Sequence, residues 1–322
     1  MQRLLGNISE KTEVSQAVLL SDLIMATIEI NKEKCTGCGV CGEICPYKAI
    51  EFKDRIAEYR AEDCFLCGHC QAVCPVDAVV IKDISRNMDF ASFIELGAMV
   101  QPGEGDVAEL VALMRSRRSC RKYRTKTIDL NILEDLVKIG TTAPSGTNSQ
   151  PWRFHILPER DNVLVLGGLT ADYYRKLNGQ AENRFLRLLV RIFGGDSLGK
   201  YYRNYHASVQ EALSEWDTEH IDRLFHGATA TILVTGRRDA SCPAEDALLA
   251  TQNMLLAAHV MGLGSCLIGF VVEAMRRNRT IKEKLGIPEE EEVYSVIALG
   301  YPDVKYLGPA GRKELVSKVC KL

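Results

Sequence analysis

The chain reads as an α+β protein in two unequal parts: a short cysteine-rich segment, then a longer α+β domain. Three observations carry that reading. At 322 residues the sequence exceeds one ordinary domain and suits two. Its cysteines crowd into residues 26–84, which are internally repeated. From about Val107 onward, long helical patterns alternate with short β-like runs. The expected organisation is therefore a small domain at 26–84, a linker at 85–106 and a large domain at 107–322. The linker closes on Gln101-Pro102-Gly103-Glu104-Gly105-Asp106, where two glycines and a proline in six residues mark a loop. Residues 1–25 carry no strong pattern and are unplaced. Met25-Ala26-Thr27-Ile28 resembles a natural start, so the leading stretch reads as an extension.

Taking the large domain in order, Val107 to Ser116 predicts a helix with Leu110, Val111, Leu113 and Met114 on its apolar side. Asp129 to Thr141 predicts another, capped by Asp129. Phe154 to Leu157, Thr231 to Thr235 and Val293 to Leu299 have strand length and composition. Pro243 to Met261 turns apolar on every face, which predicts burial in a core or a subunit interface. A further helix closes at Glu283 to Gly286. The aromatic- and arginine-rich stretch from Tyr173 to Phe225 lacks a β pattern and reads as helices that cover something.

Composition narrows the function classes. An apolar fraction of 46% and a charged fraction of 25% permit a real core without staples. A net charge of −2 leaves no electrostatic footprint for nucleic acid or an anionic membrane. Met254 to Val272 lacks formal charge and has spanning length, but Gly262-Leu263-Gly264-Ser265 breaks it and His259 sits inside it. A buried helix ending near Gly262, followed by a short buried segment, accounts for it without a membrane. No signal-peptide pattern opens the chain, so a cytoplasmic protein is expected, with cysteines as metal ligands rather than disulfides.

The cysteine pattern is Cys35-x2-Cys38-x2-Cys41-x3-Cys45-Pro46, repeated as Cys64-x2-Cys67-x2-Cys70-x3-Cys74-Pro75. Each half has the ligand spacing of bacterial two-cluster ferredoxins. A [4Fe–4S] cube takes one soft thiolate per iron; three closely spaced cysteines wrap one side, and the fourth crosses to the other cluster. One cluster is thus expected on Cys35, Cys38, Cys41 and Cys74, the other on Cys64, Cys67, Cys70 and Cys45. Gly37, Gly39, Gly42 and Gly68 let backbone N–H groups approach. Two zinc sites are the competing reading, since four thiolates also suit Zn²⁺, but duplication in this form favours clusters. His69 reads as a side chain near a cluster, and Cys120, Cys242, Cys266 and Cys320 as free thiols.

Single electrons need a receiver. Arg117-Arg118-Ser119-Cys120-Arg121-Lys122-Tyr123, directly after a helix, offers forked donors and a hydroxyl for a phosphate. Three more pieces follow: Ala143-Pro144-Ser145-Gly146-Thr147-Asn148-Ser149-Gln150-Pro151-Trp152-Arg153-Phe154, then Gly262 to Phe270, then Ala298-Leu299-Gly300-Tyr301-Pro302 with Arg312 and Lys313 beyond. Together, and in this order, they resemble the nitroreductase family, whose members bind FMN non-covalently in a homodimer. The resemblance spans about Val107 to the C-terminus. It implies that Arg117, Arg118, Ser119 and Arg121 hold the phosphate and ribityl end, with Arg312 and Lys313 completing the phosphate site. It also implies flavin contacts from Pro144, Ser145, Asn148 and Gln150, and ring contacts from Leu267, Ile268 and Gly269. Many members carry Glu where this chain has Ile268. Trp152 reads as structural. No Gly-x-Gly-x-x-Gly follows a strand, so no Rossmann site is expected.

FMN accepts electrons singly and delivers pairs, whereas clusters pass single electrons, so the fusion suggests a wire. An external low-potential electron donor would load the clusters, and a small-molecule electron acceptor would drain the flavin. No residue stands out as an obligatory acid or base. The stretch from Asp172 to Phe225 is expected to cover the flavin; Tyr201, Tyr202, Tyr205 and His206 are pocket candidates, with plain packing the favoured reading. Two rivals remain at this stage. One is a carrier that hands electrons to a partner protein; the other is an oxygen or redox sensor. An open apolar pocket over the flavin would separate the enzyme from the carrier.

Overall fold

The computed structural model describes residues 28–60, 64–82, 84–97 and 99–321. The unplaced stretch 1–25 lies outside them. Two compact units divide between Asp89 and Phe90, inside the expected linker.

In the small unit, β1 (Ile28–Ile30) pairs antiparallel with β4 (Val79–Ile81), and β2 (Ile50–Lys53) with β3 (Ile56–Tyr59). The β2–β3 turn is Asp54-Arg55, both at positive φ (50° and 64°), the backbone that a two-residue hairpin turn demands. Gly37 lies against this turn: a Cβ there would meet Arg55 O at 2.0 Å. Two short helices, α1 (Val40–Ile44) and α2 (His69–Ala72), follow left-handed Gly39 and Gly68. The sequence repeat is a structural repeat. Each final cysteine accepts a bond from the fourth residue on, Ala49 N–H to Cys45 Sγ at 3.3 Å and Ala78 N–H to Cys74 Sγ at 3.1 Å.

The large unit is built on an antiparallel sheet in the order β5-β6-β8-β7, from Trp152–Leu157, Ala230–Arg237, Glu291–Gly300 and Gly264–Leu267. Central β6 and β8 are buried on both faces, and alternate residues feed two cores. Ile232, Val234, Ile297 and Leu299 pack under α4 (Leu130–Gly140) and α9 (Pro243–Val260), while α3 (Val107–Ser116) touches α9 slightly. Leu233, Val296 and Ala298 face the other way, toward α5 (Arg160–Glu182), α10 (Gly269–Arg277) and α11 (Arg279–Lys284). A bulge between Val234 and Thr235 skips Tyr294, so Val293 joins the same face as Val296. The aromatic stretch is helical as expected, supplying the end of α5, then α6 (Arg184–Gly194), α7 (Ser197–Asn204) and α8 (His206–Thr218).

Two apolar faces are left open within one chain. In α9, Leu248, Leu249 and Val260 are exposed, although Ala247, Ala250, Met254 and Ala258 are buried. In α3, Val107, Leu110, Val111 and Met114 are all exposed. Within one chain these faces have no cover among the described residues.

Past the division between units, the chain is pinned to α4. Asp135 is fully buried and accepts from Ala91 N–H, Ser92 N–H and the Ser92 hydroxyl, with Lys138 Nζ at 3.1 Å. Burial alone would raise this carboxyl, but the Ser92, Ala91 and Lys138 donors outweigh it and hold it at about 2. Its folded value lies below the unfolded one of 3.8. The stabilisation is therefore present above pH ~4 and is lost as pH falls toward ~2. Asp135→Ala is expected to cost about 2–3 kcal/mol near neutrality. Urea unfolding followed by tryptophan emission checks this, because Trp152 and Trp216 both lie in the large unit. The gap to wild type should close as pH falls from ~4 to ~2.

Candidate functional site

The cysteines are organised by the repeat. Cys41 is buried, and the thiols it feels are Cys38 and Cys35. Cys70 is raised to about 11, first by burial and then by the proximity of Cys64, Cys67 and Cys45. The final cysteine of the first run therefore faces the second run. Ile28, Ile50, Val79 and Ile81 share a small core with the buried Cys41 and Cys70. Among the described residues no three His, Cys, Asp or Glu side chains converge on one point as the ligands of a single ion would. A zinc site needs four sulfurs about 2.3 Å from one ion. A cube, with one thiolate per iron, holds its ligands further apart. The duplicated eight-thiol donor set, in ferredoxin spacing, suits iron–sulfur clusters.

In the large unit the arginine segment is stitched to the sheet. Cys120 N–H donates to Ser265 O at 2.9 Å, and Ser119 bridges Ser265 beside β7. Glycine is required there: a Cβ on Gly264 would meet Cys120 Sγ at 2.8 Å, and one on Gly300 the Tyr123 ring at 2.7 Å. A cavity of about 510 Å³ opens beside this seam, bordered by Arg117, Arg118, His259, Ser265 and Lys305. Arg118 lies over the Tyr306 ring at 5.7 Å. Arg117, Arg118 and Arg121 form no ion pair among the described residues. Both Arg121 and Arg117 act on the buried Cys266 thiol, which burial otherwise raises. Unpaired guanidiniums at a glycine-backed seam suit a phosphate.

Arg121 turns into a second cavity of about 1320 Å³, where Leu267, Ile268 and Gly269 form one wall. Aromatic rings form another. Tyr174 packs edge-on to Phe270 at 5.5 Å, and Tyr201 lies 6.3 Å from Tyr205. Hydroxyls fix the rings: Tyr174 donates to Phe270 O at 3.0 Å and Tyr201 to Asn178 Oδ1 at 2.6 Å. Of the four aromatic-stretch candidates, Tyr201 and Tyr205 line the cavity. Tyr202 instead lies under Arg187, and His206 pairs with Glu182.

Pro144, Ser145, Asn148 and Gln150 line neither cavity of their own chain. Their loop is nonetheless rigidly made. Gln150 N–H donates to Ser145 Oγ, and Gly146 N–H to Asp246 Oδ1 at 3.0 Å. Thr147, Asn148 and Gln150 hold positive φ. Arg312 and Lys313 lie on the exposed C-terminal segment outside both cavities, where Arg312 bonds to Ala310 O and Gly311 O. Lys305 is the cation from that end which reaches the smaller cavity.

Three side chains escaped sequence reasoning. Lys305 lacks a motif. Asp246 was visible only as an acid in the first turn of α9, yet it is buried and clamps the 145–150 loop, with Oδ2 unpartnered. His226 faces the large cavity from a left-handed backbone (φ 58°). Asp222 enforces that backbone by accepting from Leu224, Phe225 and Gly227 N–H while bound by Arg160 at 2.7 Å. Burial, then Arg121, holds the His226 imidazole below its ordinary value.

Sheet, arginine seam and aromatic cavity, beside a unit built on a cysteine repeat, fit a redox protein of the flavin-binding α+β class that carries an iron–sulfur unit. The Nitroreductase family model matches residues 114–301, more than half the chain, and a 4Fe-4S dicluster domain model matches residues 29–78. The chain belongs to the nitroreductase family and is an FMN-dependent oxidoreductase. A protein of Archaeoglobus fulgidus, provisionally named a NADH dehydrogenase/NAD(P)H nitroreductase, is 28% identical over 60% of this chain and 86% of its own length. A 4-nitrobenzoate reductase of Nocardioides is 26% identical over 61% of this chain and 81% of its own. Among solved structures, a Bacteroides fragilis nitroreductase with bound FMN superposes at TM-score 0.48 and 21% identity, covering 66% of this chain and 98% of that one. No helix among the described residues is long and apolar enough to cross a membrane.

Proposed function

We propose that this chain is an iron–sulfur flavoprotein reductase that passes electrons from two [4Fe–4S] clusters to FMN and on to a small organic acceptor, a nitroaromatic or similar. The observation that carries this reading is the large cavity. Tyrosines and the Leu267–Gly269 segment line it together, and it is open to a small ligand. A protein that only handed electrons to a partner would gain nothing from such a space.

When bound, the clusters supply single-electron relay and FMN supplies the exchange between single and paired electrons. The chain's own groups do the rest. Arg117, Arg118 and Ser119, with Lys305, hold the phosphate end. Arg121 and the Leu267–Gly269 backbone meet the ring. Cys35, Cys38, Cys41 and Cys74 ligate one cluster; Cys64, Cys67, Cys70 and Cys45 ligate the other. His226 offers an N–H to the cavity in its uncharged state. The exposed faces of α3 and α9 support a homodimer, because burying Leu110, Met114, Leu248 and Leu249 against a second copy removes apolar surface from water. In that dimer the 144–150 loop would serve the partner's flavin, which is consistent with its absence from its own chain's cavities.

The test is an anaerobic titration of the purified protein with a one-electron reductant, following cluster and flavin absorption together. A nitroaromatic is then added. Both signals are expected to bleach and then to recover on addition. Protein without flavin would overturn the reading. A reduced flavin that no small acceptor drains would return the chain to the carrier class.

A further inference from the structure

The large cavity says more about its ligand than that it is small. Pockets for single small molecules run to about 300–1,000 Å³. At about 1320 Å³ this one exceeds that range, so it has room for a flavin ring and a second molecule together. Tyr173, Tyr174, Tyr201, Tyr205 and Phe270 line the same space as the Leu267–Gly269 segment. Ring faces and edges at this density favour a flat aromatic guest.

The charges lining the space are unbalanced. Glu273 is the single carboxylate among the lining residues, and it is bound by Arg277 and Arg276. Arg223 is occupied by Glu211 and Glu215. Arg121 faces the flavin segment. Lys176 on α5 and Lys200 on α7 remain, with no ion pair for either among the described residues. The acids one turn before them are taken: Asp172 by Arg175 and Asp196 by Arg203, each at 2.6 Å. Two ammonium groups without ion pairs on the covering helices, and no free carboxylate, leave a cationic surplus along the cavity lining.

We propose that the acceptor is an aromatic carboxylate, its ring held by the tyrosine wall and its negative charge by Lys176 and Lys200. This rests on the reductase reading of the same cavity and specifies its substrate class. Both lysines are exposed, so their attraction is screened and moderate, and it weakens with salt.

The experiment pairs two probes of matched size and shape, the anionic 4-nitrophenylacetate and the neutral 4-nitrophenylacetamide. Their binding to oxidised holoprotein is measured by calorimetry, and their reduction is measured separately. The acid is expected to bind roughly 10-fold more tightly at low ionic strength, with the preference shrinking in added salt. The Lys176→Gln/Lys200→Gln double variant should bring the ratio to about one, and Lys176→Arg/Lys200→Arg should keep it. Equal binding of acid and amide, no binding of either, or a preference that survives the glutamines overturns the proposal. Reduction decides the underlying reading independently. Lysine-dependent binding of an acid that is never reduced would keep the anion site and remove the reductase. Indifferent reduction of both probes would do the reverse.

Discussion

Cys45→Ser is expected to remove the cluster wrapped by the other cysteine run, 64–70, and to leave its own run's cluster in place. The thiols that act on Cys70 include Cys64, Cys67 and Cys45, and those that act on Cys41 include Cys38 and Cys35. Cys45 and Cys74 end equivalent loops with the same backbone bond to sulfur, so the exchange is expected to be reciprocal. A serine hydroxyl stays protonated and hard where iron needs a soft thiolate. Iron should fall from about eight to about four atoms per chain. Electron flow from a one-electron donor to the acceptor should fall at least ~10-fold, while flavin content is kept. Paramagnetic resonance of reduced samples makes the pairing testable. Cys45→Ser and Cys64→Ser should erase one signal, Cys74→Ser and Cys35→Ser the other. Cys320→Ser, on the exposed C-terminal segment, serves as the control. If Cys45→Ser matches Cys35→Ser instead, ligation stays within each run and the crossed arrangement is wrong.

How much of this was legible in the sequence depended on the range of the interaction that carries it. The cysteine repeat was legible because ligand spacing is local: a few residues fix which thiols wrap one side of a cube. The strands at 231–235 and 293–299 and the helix from Asp129 were legible through period and capping, and their ends moved by only a few residues in the structure. The uniform hydrophobicity of α9 was legible as a need for cover, but not whether that cover came from its own chain. Leu248 and Leu249 show that part of it does not. Asp135 was opaque because its partners, Ala91 and Ser92, lie more than forty residues away and carry no motif. The backbone of His226 was opaque for another reason. Nothing in the histidine signals a left-handed φ, which Asp222 imposes through three backbone bonds. Lys176 and Lys200 read as ordinary charges on exposed helices. Only the packing of α5, α6 and α7 brings them to one cavity.

The second large effect concerns Arg117 and Arg118, and its sign should reverse with the flavin. Both guanidiniums are half-buried and border the smaller cavity without a carboxylate partner among the described residues. A partly desolvated charge lacking a counter-charge costs stability unless an anion arrives to meet it. In flavin-free protein, the Arg117→Gln/Arg118→Gln double variant is therefore expected to unfold at the same temperature as wild type or slightly higher. In the presence of FMN the order should invert. Each lost charge-assisted contact to a phosphate is worth about 1.5–3 kcal/mol, so FMN affinity should fall at least ~100-fold. The stabilisation gained from ligand scales with its concentration over Kd, and a wild type at about 100 Kd gains ~2.7 kcal/mol that the variant forfeits. Thermal unfolding with and without FMN reads both signs in one experiment. Arg312→Gln supplies the comparison, since Arg312 lies outside both cavities of its own chain. An equal loss there would mean that the C-terminal segment closes on a phosphate, in its own or a second copy. An intact affinity would leave Lys305 as the cation that completes the site. If the double variant keeps its flavin, the phosphate lies elsewhere and the arginine seam is only structural.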